Sequence, residues 1–128
     1  MVKYFLFLLP FFTIFSQEIP PIQSFDIDAY NASGQNWMIT QDDDQNIFFA
    51  NNDGLLTYNG STWELYKTPK NTIMRSVKYI NNIIYTGENS DFGYWIKNKN
   101  GFYSYTSLPT KFSFNIVEDE EFWNILEF

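Results

Sequence analysis

The sequence contains no cysteine and no histidine. That excludes a disulfide framework, a zinc finger, a cysteine nucleophile, a Ser-His-Asp triad and a haem held by histidine. Basic residues are scarce, with Lys+Arg 8 against Asp+Glu 15 and a formal net charge of -7 at pH 7. An acidic chain repels phosphate backbones and anionic lipid surfaces, so nucleic-acid binding is not expected of it. Glycine-rich phosphate loops and basic aromatic patches are missing too, and no cofactor is expected. After Gln17 every apolar run is brief, which leaves no later candidate for a membrane-spanning helix. What the chain has in excess is aromatic side chains: 14 Phe, 9 Tyr and 4 Trp among 128 residues. Such a composition favours strands, and it supplies the packing that a cysteine-free chain must rely on. The length allows one domain, or part of a larger one.

The first residues read as a targeting segment. One cation, Lys3, precedes an uncharged apolar stretch from Tyr4 to Phe15, and polarity changes at Ser16-Gln17. This is the pattern of a secretory signal peptide covering residues 1–16, with cleavage after Ser16. About a dozen apolar residues fall short of the ~20 that a spanning helix needs, which ranks an uncleaved anchor or a buried helix second.

From Trp37 onward, short β-prone runs alternate with turn residues. Trp37–Gln41, Ile47–Ala50, Leu55–Tyr58 and Thr62–Tyr66 are separated by Asp42–Asn46, Asn51-Asn52-Asp53-Gly54 and Asn59-Gly60. The Asp-Gly and Asn-Gly pairs are strong hairpin signals, because their residues tolerate positive φ. This predicts a four-stranded meander. A second set follows, at Arg75–Ile80, Ile83–Thr86, Phe92–Ile96 and Phe102–Tyr105, and a third begins with Phe112–Val117 and Phe122–Ile125. Ile47, Ile83 and Phe122, each opening the strand after a first turn, stand 36 and 39 residues apart. Four strands repeating near 40 residues suggest the blades of a β-propeller, since a single sheet that is apolar on both faces is covered only by stacking like copies. An ordinary antiparallel sandwich is the alternative. Helices are expected to be scarce outside the signal.

Several of these motifs resemble a known family. Tyr30-Asn31-Ala32, Gln35-Asn36-Trp37, Gln41-Asp42, Ile47–Asn51, Gly54-Leu55-Leu56, Tyr58-Asn59-Gly60 and Trp63 look like the opening blade of the two-component regulator propellers of Bacteroidetes-type bacteria. Tyr85-Thr86-Gly87 with Phe92–Trp95 resembles their second blade, and Phe122–Ile125 their third. The resemblance implies a periplasmic sensor propeller, usually sevenfold, joined through a membrane helix to a histidine kinase or a helix-turn-helix (LuxR-type) transcriptional regulator. Its expected organisation here is a signal peptide at 1–16, a lead-in segment at 17–36, blade 1 at 37–72, blade 2 at 73–110 and the start of blade 3 at 111–128. Read this way, the chain is an all-β, incomplete propeller of about two and a half blades. It is expected to be an N-terminal fragment that needs the remaining blades to close, with oligomerisation as another route to closure.

Candidate chemistry is thin. Asp42, Asp44 and Asn46 alternate as in the first half of an EF-hand loop, but the sixth and twelfth positions hold Ile47 and Asp53 instead of Gly and Glu. A solvated turn is the expected role, and no metal site is assigned. Glu118–Glu121 offers adjacent carboxylates with nothing to set one opposite another, and Asp26 and Asp28 are no more informative. Trp37, Trp63, Tyr94, Trp95 and Trp123 are the better binding candidates, although most are expected to fill the space between blades. The sequons at Asn31 and Asn59 carry no weight given the bacterial resemblance. The expected function is a non-catalytic extracytoplasmic sensor that binds an extracellular ligand, a carbohydrate being one candidate, or a protein partner. The alternative is part of a secreted propeller enzyme acting on carbohydrate. No catalytic residue is assigned.

Overall fold

A computed structural model describes residues 19–128. The expected signal peptide at 1–16 lies outside the described residues. Among them, no helix is long and apolar enough to cross a membrane.

The chain forms two antiparallel sheets, each a four-stranded meander. The first contains β1 (Asn36–Gln41), β2 (Ile47–Asn51), β3 (Gly54–Tyr58) and β4 (Trp63–Tyr66). The second contains β5 (Met74–Ile80), β6 (Ile83–Glu88), β7 (Asp91–Lys97) and β8 (Tyr103–Ser107). The only described helices are α1 (Ile27–Tyr30) and α2 (Leu108–Phe112), so the all-β class expected from the sequence is correct. The turns sit where the Asp-Gly and Asn-Gly pairs place them. Gly54 has φ 137 and Gly60 φ 89, values that glycine alone adopts without strain. A Cβ on Gly54 would also strike the Tyr66 carbonyl oxygen.

Hydrogen-bond register shows that the sheets repeat one another strand for strand. In the first, Met38 faces Ala50 and Asn51 faces Gly54. In the second, Ser76 faces Gly87 and Glu88 faces Asp91. Ala50 therefore corresponds to Gly87 and Asn51 to Glu88. Both ladders slip by one residue at the same point, between Asn36 and Met38 and between Met74 and Ser76.

The sheets pack against each other through Phe48, Ala50 and Leu55 on one side and Met74, Val77, Ile84 and Trp95 on the other. Phe48 and Tyr66 meet Tyr103 edge to face, at 5.7 and 5.4 Å between ring centroids. The Trp95 indole is 2% exposed and donates from Nε1 to Thr86 Oγ1 at 2.9 Å, so its polar atom is satisfied inside the core. The far face of the first sheet is partly covered by the lead-in segment, whose Phe25 and Tyr30 lie 5.2 and 5.4 Å from the Trp63 ring.

Each sheet also ties down the segment that feeds its first strand. The Asn51 side chain donates from Nδ2 to the Ser33 carbonyl at 2.6 Å and to Asn36 Oδ1 at 2.8 Å. Its counterpart Glu88 holds the strap between β4 and β5, accepting on Oε2 from the Thr68 hydroxyl at 2.7 Å and from that of Thr72. The backbone repeats the tie, Asn52 N–H donating to Gln35 O and Asn89 N–H to Ile73 O.

After β8 the structure departs from expectation. The strand expected over Phe112–Val117 does not form. Ser107 caps α2 by accepting from Thr110 N–H at 3.3 Å, Pro109 suits the first helical turn, and Ser113 ends it in the left-handed region at φ 56. The residues after it are irregular, and Phe122–Ile125 is not a ladder strand either; the one bridge there pairs Asn89 with Glu121.

Candidate functional site

The residue inserted at each ladder slip is Trp37 in β1 and Arg75 in β5. A bulge turns its side chain out of the pleat, and here both side chains turn to one place. The Arg75 guanidinium lies 4.5 Å from the Trp37 ring centroid and 4.6 Å from that of Trp123. The two indoles meet edge to face at 5.4 Å and 87°. Glu121 closes the cluster, its Oε1 accepting from Arg75 Nε at 3.0 Å and Nη2 at 2.7 Å. Trp37 is fixed further by donating from Nε1 to Asn52 Oδ1 at 2.7 Å.

The tail reaches this place because backbone and side chains moor it along β5 and the turn between β6 and β7. Ser90 N–H donates to Glu120 O at 2.7 Å, Ser76 Oγ to Phe122 O at 2.7 Å, and the Phe122 ring packs on Phe92 at 4.8 Å. The Arg75 side chain is 12% exposed, whereas Trp37 and Trp123 each remain 42% exposed. Two anchored indoles, set nearly perpendicular to each other, therefore show solvent an apolar corner, while the cation beside them is matched by Glu121. Such a surface is suited to stacking against a planar or apolar ligand face, with orientation set by the Arg75–Glu121 pair.

At the other end of β1 lies a more polar groove between the sheets, a cavity of about 270 Å³ lined by Asn46, Phe48, Glu64, Lys97, Phe102 and Tyr103 among others. A hollow of about 140 Å³, lined partly by Asp42, Asp44 and Tyr79, shares Lys97 and Tyr103 with it. Burial, followed by the charges of Asp42 and its neighbours, pushes the Tyr103 hydroxyl up to about 12. Lys97 Nζ stands 5.6 Å from the Tyr103 ring centroid.

The candidates read from the sequence separate in space. Trp95 is core, as expected of most of the aromatics. Trp63 is half-buried and stacks on Tyr58 at 4.4 Å. Tyr94 is half-buried, and the hydrogen bond from Lys111, at 3.0 Å, lowers its hydroxyl's pKa. Trp37 and Trp123 overturn the expectation of burial. Asp42 spends its carboxylate on its own turn, accepting from Asp44 N–H at 3.0 Å, Asn46 N–H at 2.8 Å and Asn46 Nδ2 at 2.7 Å. Of the acidic run, Glu118, Asp119 and Glu120 are exposed and Glu121 joins the indoles. Asp26 and Asp28 are exposed and belong to neither place. Among the described residues, no group of three or more acidic side chains is placed to hold a metal ion. Sequence reasoning missed Arg75 and Asn52; the one available signal was that Arg75, like Trp37, opens the first strand of its set.

No family model, curated protein or solved structure matches the chain.

Proposed function

We propose that this chain is the N-terminal part of an exported, non-catalytic sensor: a β-propeller that binds an extracellular ligand and belongs to a bacterial signal-transduction or transcriptional regulator. One observation carries the reading. Two meanders share register, ladder slip and tie-down position, and they stack face on face. The stack is also directional. Ala50 faces the second sheet, while its counterpart Gly87 lies on the opposite, outward face, beneath Phe122. An arrangement in which each unit presents a different face to its two neighbours continues until it closes, as blades do around an axis. The apolar segment before Gln17 supports export to the periplasmic side of a membrane-anchored regulator, or secretion.

Ligand would engage the Trp37–Trp123 surface, and a carbohydrate is one candidate because sugar rings offer the flat apolar faces that indoles stack on. Signalling then requires the ligand to bind two arrangements of the parent protein unequally. The test is the reading frame beyond the codon for Phe128. Further blades followed by one apolar segment of ~20 residues and a kinase or helix-turn-helix domain are expected. A stop after a closed propeller with converging carboxylates would replace the sensor with an enzyme.

A further inference from the structure

The tie-down position differs in chemistry between the sheets, and the difference bears on how the molecule responds to protons. Glu88 is 0% exposed. Its Oε2 takes the hydroxyls of Thr68 and Thr72, both on the strap that enters β5. Its Oε1 and the Tyr105 hydroxyl, buried beside each other, have no hydrogen-bond partner. The charged and titratable groups facing Glu88 are Asp91 on β7 and Tyr105 on β8, and the nearest cation to Asp91 is Lys70 on the strap. Lys70 is committed elsewhere: it stands 3.9 Å from Asp91 Oδ2 and donates to the Ser90 carbonyl at 2.8 Å. Asp91, itself 2% exposed, accepts from Ser107 Oγ at 2.7 Å. Two buried carboxyl groups thus share one neighbourhood with a single ammonium, and that ammonium pairs with Asp91.

We propose that Glu88 is a proton-operated latch: protonated, it stays buried beneath the strap that Thr68 and Thr72 tie to it, and ionised, it opens the strap to let water reach the charge. A proton on Oε1 removes a buried charge that no cation pairs with, while the Tyr105 O–H is able to meet Oε1 in either state. Burial raises the Glu88 pKa above its ordinary value and the charge of Asp91 acts in the same direction, against the neighbouring hydroxyls of Thr72, Thr68 and Tyr105, which favour the charged form. The sign follows. With the folded-state pKa raised, the latch contributes its full stability below the ordinary carboxylate range and loses it as pH rises through the folded-state pKa. The equivalent Asn51 has no such dependence, because an amide does not titrate.

The test is amide hydrogen exchange of the strap, residues 67–73, followed against pH after correction for the intrinsic rate, with the Glu88 side-chain carbon read by NMR in the same samples. The expected result is a loss of strap protection of about tenfold or more between acid and mildly alkaline pH, coincident with the Glu88 titration. Glu88→Gln, which keeps the shape and a donor for Tyr105, is expected to hold protection constant over the same range. Two results overturn the latch: a Glu88 carbon titrating in the ordinary carboxylate range, or strap protection that follows the same pH profile in Glu88→Gln. The NMR titration uses the unsubstituted chain, so it decides the matter even where the variant does not fold.

Discussion

Set side by side, the two sheets use one framework to house different chemistry. At the tie-down position the first has the neutral amide of Asn51 and the second the carboxyl of Glu88, both 0% exposed and each binding the segment that enters its sheet. At the ladder slip the first has an indole and the second a guanidinium. On the third strands, Tyr58 of the first sheet lies on the outer face against Trp63, while its counterpart Trp95 is locked between the sheets. Backbone register thus fixes where a side chain goes, and its neighbours decide what it is worth there. Substitutions at paired positions test that claim directly.

The largest expected contrast is at the third strands. Trp95→Ala empties the middle of the inter-sheet core and removes the partner of Thr86, so a cost of about 3–5 kcal/mol is expected in chemical denaturation. Tyr58→Ala, at the equivalent place, removes a half-exposed ring stacked on Trp63 and is expected to cost about 1–2 kcal/mol. Equal losses would mean that the sheets are not held together by the packing described.

Next in size is the pair Gly87 and Ala50. A Cβ at Gly87 would come within 2.5 Å of the Phe122 carbonyl oxygen and of Ser76 Oγ. Because the first of these is backbone, the tail must lift. Gly87→Ala is expected to cost about 1–3 kcal/mol and to leave Trp123 more open to acrylamide quenching. Ala50→Gly meets no clash and is expected to lose only about 1 kcal/mol through backbone freedom and a small void. A Gly87→Ala protein with unchanged tryptophan quenching would show that the mooring of the tail is not where these contacts place it.

Asn51→Asp carries the titration into the first sheet. The introduced carboxylate would face the Ser33 carbonyl and Asn36 Oδ1, both acceptors, in place of the amide that donates to them. Its pKa is expected to rise in the folded state. The variant should therefore be about 1–3 kcal/mol less stable at neutral pH and recover part of that loss as pH falls through the carboxylate range. Thermal unfolding at several pH values measures it. A loss independent of pH would separate the two tie-down positions and weaken the comparison.

Much of the fold was legible in the sequence because its signals are local. Alternating β-prone runs broken by Asp53-Gly54 and Asn59-Gly60 specify strands and hairpins without reference to anything distant. The eight strands of the two sheets followed from this within a residue or two. Phe112–Val117 failed because its aromatic alternation competed with a cap, Ser107, and a proline, Pro109, that start a helical turn just before it. The site was less legible. An inserted residue leaves no mark on the composition of β1 or β5, so nothing local indicated that Trp37 would turn outward or that Arg75 would meet it. Glu121 was hidden in a run of four carboxylates whose members look alike until one of them finds a guanidinium. Glu88 read as part of a loop, and only the register with Asn51 reveals it as a buried anchor.

The smallest expected effect on stability belongs to Trp37, one member of the ladder-slip pair, and it bears most on the proposed function. Arg75→Ala removes a mostly buried cation and leaves Glu121 without its partner, so a loss of about 1–3 kcal/mol is expected. Trp37 is 42% exposed and its removal strands no charge, so Trp37→Ala is expected to cost less than about 1 kcal/mol. Turned out by a bulge and held by Asn52, Trp37 is the place to test the proposed ligand surface. A soluble oligosaccharide that quenches tryptophan fluorescence of the unsubstituted chain should accordingly lose most of its affinity for Trp37→Ala, with the thermal midpoint barely moved. Unchanged affinity would move ligand recognition away from the indoles, with the polar groove beside Tyr103 as the next surface to probe. A large stability loss would instead make Trp37 a structural partner of Arg75, and the two ladder slips would then serve packing alone.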